Sequence, residues 1–187
     1  NMAPIGLLGM GMSTILLSMR NAGVIEEGMG VSAMVLATAI FFGGLAQFVA
    51  GAIEWKRGNT FAMTSFVSYG LFWLAFVALT VMPGMGWGAV APAESSMTAW
   101  YGIWGIVTTV YFCSTLTRNG ALQLAFATLA VLFILLAAGE YTANPVVRLI
   151  SGLEGIICGV SFFYTGLAQV LNEDAGKTVL PLWPAKK

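Results

Sequence analysis

Between Ala3 and Leu171 the chain passes through six apolar stretches of helical length with hardly a charge inside them. They run Pro4–Met19, Val31–Ile53, Thr60–Met82, Met97–Thr117, Ala121–Gly139 and Val146–Leu171. About 20 mostly apolar residues carry a helix across a bilayer. The expected fold is therefore all-α: a polytopic membrane protein with six transmembrane helices in one bundle, a single domain over residues 1–187.

Composition narrows the function classes. Hydrophobic residues make up 58% of the chain and charged residues 9%, against about 25% charged in soluble domains. Net charge is zero, so no basic face points to nucleic acid. With six spans in 187 residues, little chain is left for a second, water-soluble domain. The first span lacks a basic n-region and does not read as a cleavable signal peptide. Cys113 and Cys158 fall inside spans, show no framework spacing and read as small hydrophobes.

Connections between six spans fall on two sides. Lys56, Arg57, Arg118, Lys177, Lys186 and Lys187 share one side, and Arg20 and Arg148 the other. Positive charge marks the cytoplasmic face, which places both termini inside a cell membrane and Glu26, Glu27, Glu94 and Glu140 outside. Trp55, Trp87, Trp100 and Trp183 lie near span ends, where amphipathic rings favour the headgroup region.

Lipid tails are as apolar as leucine, so helices associate through small residues that let backbones approach. Ser151, Gly155 and Gly159 recur at four-residue spacing on one face of the last span. The first span offers Gly6, Gly9 and Gly11, and the second offers Gly43, Gly44, Ala46, Ala50 and Gly51. Such faces serve packing within a subunit or between subunits.

Polar groups inside the bilayer are expensive and mark function. The candidate lining is Gln47, Ser65, Thr108, Thr109, Gln123 and Ser161, although most Ser and Thr hydroxyls can bond their own helix backbone. Glu154 is the one acidic residue well inside a predicted span, so it is the candidate proton site, or else a residue at a wetter end or a subunit contact. The chain contains no histidine. Histidine-ligated metal or haem and a Ser–His or Cys–His nucleophile pair are thereby excluded, and no metal site or cofactor is expected. With no Lys or Arg in the span interiors, an anion in transit would rest on hydroxyls, amides and helix N-termini.

The segment Asn1-Met2-Ala3-Pro4-Ile5-Gly6-Leu7 resembles the N-P-A-P-L-G-L signature of the acetate uptake transporter family. The similarity continues through Phe42-Gly43-Gly44-Leu45-Ala46-Gln47, Lys56-Arg57-Gly58-Asn59-Thr60-Phe61 and Tyr69-Gly70-Leu71-Phe72-Trp73 to Val170-Leu171-Asn172-Glu173 and Thr178-Val179-Leu180-Pro181. The resemblance implies six helices per subunit, a homo-oligomer of hexameric form, and a path for small monocarboxylates through each subunit. It also implies a hydrophobic narrowing of Phe, Tyr and Leu, which maps onto Met10, Tyr69 and Leu129. Met10 departs from the family Phe, Met2 from its first Pro, and Glu154 from an apolar residue. At about 1.5 Å per residue, Met10, Tyr69 and Leu129 lie roughly 9 to 15 Å from their helix starts, so one shared layer is geometrically possible.

The expected function is passage of acetate, and of other short carboxylates such as succinate, across the bilayer. In that scheme Tyr69 supplies the polar edge of the constriction, Met10 and Leu129 its apolar wall, and Asn1, Ala3, Pro4 and Gly6 the inner mouth. A channel needs no titratable group; a proton symporter needs Glu154 or carries its proton on the substrate. The competing class, a membrane-embedded enzyme or sensor for lipid or small apolar molecules, lacks paired carboxylates or a nucleophile–base pair in the spans.

Overall fold

The computed structural model describes residues 1–25 and 31–185; Lys186 and Lys187, used above to assign sidedness, and Glu26 and Glu27, placed by that assignment, lie outside the described residues. Six helical rods follow one another: α1 (Ala3–Asn21), α2 (Ala33–Lys56), α3 (Thr60–Val81), α4 (Glu94–Thr115), α5 (Gly120–Thr142) and α6 (Pro145–Ala175). All except α4 are long and apolar enough to cross a membrane. At 22 residues α4 is as long as α3, about 33 Å, but its Ser, Thr, Gly and Tyr residues make it less apolar.

Short polar side chains set the helix starts. Asn59, Asn119 and Asn144 accept the backbone N–H of Ala62, Leu122 and Val146 at 3.3, 2.9 and 2.9 Å, satisfying orphan donors of the first turn. The last helix stops at Gly176, whose φ of 62° suits a residue without Cβ.

In contact order the rods run α3, α2, α1, α6, α5, α4, with backbones closely packed at each step. The deepest contact is α1 on α6. There a Cβ on Gly159 would lie 2.9 Å from the Gly11 carbonyl, and one on Gly11 2.8 Å from the Gly159 carbonyl. The small-residue faces of both helices thus serve packing inside the subunit, as close backbone approach requires.

Closure of the ring between α3 and α4 is different. Their backbones scarcely approach, and rings bridge the gap. Phe72 stacks on Trp100 at 4.7 Å, Tyr69 meets Trp104 at 5.6 Å, and Ser68 pairs with the Tyr111 hydroxyl at 3.0 Å. Trp100 thus also packs in the seam; Trp55 and Trp87 are exposed. Trp183 folds back with the tail: its ring stacks on Tyr164 at 6.0 Å and its carbonyl accepts Gly120 N–H at 2.7 Å.

Helix α2 is not uniform. Ala39–Ala46 forms a π-helical segment, a geometry that recurs at functional sites. Here α1 presses in: Gly9 faces the Phe42 carbonyl and Ser13 Oγ donates to the Thr38 carbonyl at 3.3 Å.

Candidate functional site

The termini share one end of the bundle, because Asn1 Nδ2 donates to Gln169 and Glu173 of α6, each at 3.3 Å. At the opposite end a vestibule of about 820 Å³ opens between α1, α3, α4, α5 and α6. Among the described residues its charged lining is Arg20, Arg148 and Glu140. It leads through shared residues Leu17, Asn21, Phe76, Tyr101 and Leu136 into a slot of about 30 Å³, room for about two waters.

The slot has two chemically distinct walls. One is a stripe of α1: Met10, Thr14, Ser18 and Asn21, whose spacings of four, four and three put them on one helical face. The other is apolar and aromatic, with Phe72, Phe76, Leu129, Leu132 and Phe133 from α3 and α5. Met10 ends the stripe, 2% exposed, and its sulfur receives Trp73 Nε1 and Gln47 Nε2, each at 3.5 Å. Sulfur is a weak acceptor, so Gln47 is poorly satisfied. Thr14 Oγ1 and Gln47 Oε1 are buried with no partner among the described residues. One orphan polar atom thus sits in the slot wall and the other behind Met10, and buried unsatisfied groups call for an explanation.

On the terminal side of Met10 the centre is filled. Phe126 packs against Phe162 and Phe61, both at 5.4 Å, and Phe66 and Leu7 complete the plug. The cavity is thus open at one end and shut at the other.

Met10, Tyr69 and Leu129 are all buried in one cluster, but Tyr69 takes a different part from the one expected. Its hydroxyl pairs with Thr108 Oγ1 at 2.8 Å, and its ring stacks on Phe133 at 6.5 Å. It backs the wall, while Phe72, Trp73 and Phe133 face the slot. Thr108 is its buried partner rather than free lining.

Other lining candidates are engaged elsewhere. Ser65 donates to the Phe61 carbonyl at 2.7 Å and Ser161 to the Cys158 carbonyl at 2.6 Å. Thr109 is exposed on the outer face of α4 and bonds Gly105 O. Gln123 donates to the Leu116 and Arg118 carbonyls at 3.3 and 3.1 Å, closing the α4–α5 turn. None of the six lines the slot itself; Gln47 lies one contact behind it, donating to the Met10 sulfur. Glu154 is half-buried on α6 with Oε2 unpartnered among the described residues, and it does not line the slot.

The N-terminal motif is a fastening. Ala3 N–H donates to Asn1 Oδ1 at 3.2 Å, Met2 N–H donates to Glu54 Oε1 at 3.3 Å, Pro4 sits in the first turn and Gly6 faces the Phe66 ring. Glu54, 2% exposed, also receives Asn59 Nδ2 at 2.9 Å and lies 3.6 Å from Arg57 Nε. The helix start expected to receive a substrate carboxylate already holds one supplied by the protein. Glu54 belongs to the stretch that carries the family resemblance, but its place just past the apolar run ending at Ile53 gives no sign of its role as the carboxylate that fastens the N-terminus. The α1 stripe was legible as a four-residue recurrence from Met10 to Thr14 to Ser18.

Long apolar helices around an internal cavity define a membrane protein of several candidate spans. The chain belongs to the GPR1/FUN34/yaaH family, whose model matches residues 1–186. It is 44% identical over 182 residues to the succinate-acetate/proton symporter SatP of Escherichia coli, covering 97% of this chain and 94% of that protein. Acetate permease A of Emericella nidulans is 31% identical over 196 residues, with 97% and 65% covered. A solved structure of the bacterial acetate channel SatP matches with a TM-score of 0.93 at 44% identity, covering 97% of this chain and 98% of that one. These relatives are named as a symporter, a permease and a channel.

Proposed function

We propose that this chain is a one-domain, six-span subunit of a cell-membrane hexamer that passes acetate and related short carboxylates through its own interior. The observation that carries the proposal is the two-walled slot. A short carboxylate has a charged head and an apolar tail, and the α1 hydroxyl stripe faces Phe72 and Phe133 across the slot. The head travels along Asn21, Ser18 and Thr14 to Gln47; the tail slides on the rings; Met10 and Leu129 form the narrowing. Lys56, Arg57, Arg118 and Lys177 at the terminal end support cytoplasmic termini and a vestibule facing outward.

At neutral pH a carboxylic acid with pKa about 4 is almost wholly ionised, and the anion does not cross lipid unaided. The path relieves that barrier. Among the described residues the slot is lined by no Asp, Glu, Lys or Arg, and its one ionisable group is the Tyr101 phenol, which stays protonated at neutral pH; this supports a channel-like conduit in which any proton is carried by the substrate itself.

Labelled-acetate uptake into proteoliposomes, with and without an imposed pH gradient and against empty liposomes, tests this. Protein-dependent uptake that follows the anion's electrochemical gradient is the expected result. Accumulation above equilibrium only with the proton gradient would replace the channel with a symporter. Uptake no faster than in empty liposomes would remove the function.

A further inference from the structure

Arg148 occupies an unusual position at the vestibule. It rises from the second turn of α6, and its Nη2 alone reaches two carboxylates: Glu94 Oε1 on α4 at 3.3 Å and Glu140 Oε2 on α5 at 3.4 Å. Gly139 leaves room for its stem, since a Cβ there would lie 3.3 Å from Arg148 Cγ. Both ion pairs use the same nitrogen, so among the described residues Nη1 and Nε keep their donors for another acceptor, and the side chain lines the vestibule wall. A guanidinium offers five donors in a planar fork matched to carboxylate.

We propose that Arg148 is a carboxylate-capture residue of the vestibule, which holds Glu94 and Glu140 at rest and exchanges one of them for an incoming substrate carboxylate. The inference rests on the carboxylate path proposed above and adds its entry site. The exchange replaces one carboxylate by another on the same donor, so binding is weak in both directions. Conduction requires such a site: favourable enough to enter, weak enough to leave. An isolated arginine would hold the anion longer, and the two glutamates prevent that. Glu94, whose side chain is 62% exposed against 27% for Glu140, is the one that yields.

The relay separates from a purely structural bridge by the sign of two substitutions. The full chain in proteoliposomes is compared with Arg148→Gln, Arg148→Lys and Glu94→Gln, reading the acetate concentration for half-maximal uptake and the maximal uptake. Arg148→Gln should raise the half-saturating concentration roughly two- to fivefold, the range of exposed ion pairs, with maximal uptake nearly kept. Glu94→Gln should lower it by a similar factor, and Arg148→Lys should fall between Arg148→Gln and the parent. A bridge that only fixes helix ends would move Arg148→Gln and Glu94→Gln in the same direction, and that result overturns the proposal, as does an unchanged half-saturation in Arg148→Gln. Should Arg148→Gln fail to fold, opposed shifts in Glu94→Gln and Arg148→Lys carry the test and parallel shifts overturn it. Failure of the parent chain itself to take up acetate would instead overturn the carboxylate path, and this entry site with it.

Discussion

The hydroxyls of Tyr69 and Thr108 lie 2.8 Å apart, buried, across the only step of the helix ring where backbones stand apart. Each satisfies the other in a place that water does not reach. Replacing one strands its partner, while replacing both leaves only apolar surface. Tyr69→Phe and Thr108→Val should each cost about 1 kcal/mol, within the range for hydrogen bonds between membrane helices, and the double variant should cost less than their sum. Thermal unfolding in detergent reads the cycle. Acetate selectivity should survive in Tyr69→Phe, because the hydroxyl points at α4 and not into the slot.

Met10 and Leu129 both line the slot, and in the proposed path they set its bore. Leu129→Ala removes three carbons there and should raise succinate uptake relative to acetate several-fold. Met10→Phe puts a rigid ring where a flexible thioether now accepts Gln47 and Trp73, and should lower the same ratio. Competition between the two labelled acids in proteoliposomes measures both. Unchanged ratios in the pair would remove these residues from the narrowing.

Glycine at position 159 is required by the backbone it touches. A Cβ there would lie 2.8 Å from Ile15 N and 2.9 Å from Gly11 O, and neither atom belongs to a movable side chain. Gly159→Ala should destabilise by about 1–3 kcal/mol, as overpacking does, and Gly159→Val by more. The check is the fraction of monodisperse protein after heating.

Glu154 offers a carboxylate within the bilayer span but away from the slot. Glu154→Gln should therefore leave acetate uptake and its dependence on an imposed pH gradient nearly intact. Complete loss of transport in folded Glu154→Gln would make it the coupling site.

The six rods were legible because lipid demands long uncharged runs, and Asn59, Asn119 and Asn144 announce three of their starts. The π-helical stretch at Ala39–Ala46 left no mark in the periodicity, since it is imposed by α1 pressing on the Phe42 and Thr38 carbonyls. Composition fixes which residues are polar but not which way round the bundle they point. Thr109 and Gln123 were accordingly misplaced, and Thr14 and Ser18, equally ordinary as residue types, went unnoticed. Met10 and Leu129 fell together because motif resemblance carries three-dimensional information that hydropathy lacks. The fastening role of Glu54 was hidden by its place one residue past an apolar boundary.

The α3–α4 seam separates two jobs that most helical bundles combine. Elsewhere in the ring, backbone-to-backbone fits such as Gly11 on Gly159 admit almost no change. At the seam, Phe72, Trp100, Trp104 and Tyr69 act as removable caulking between staves that are already held by their other neighbours. Of these rings Phe72 also faces the slot, so exchanging it for a smaller or larger one would alter the bore with little demand on the helix backbones. A lineage can then explore new cargoes by single codon changes at that aromatic position, without first surviving a misassembled scaffold.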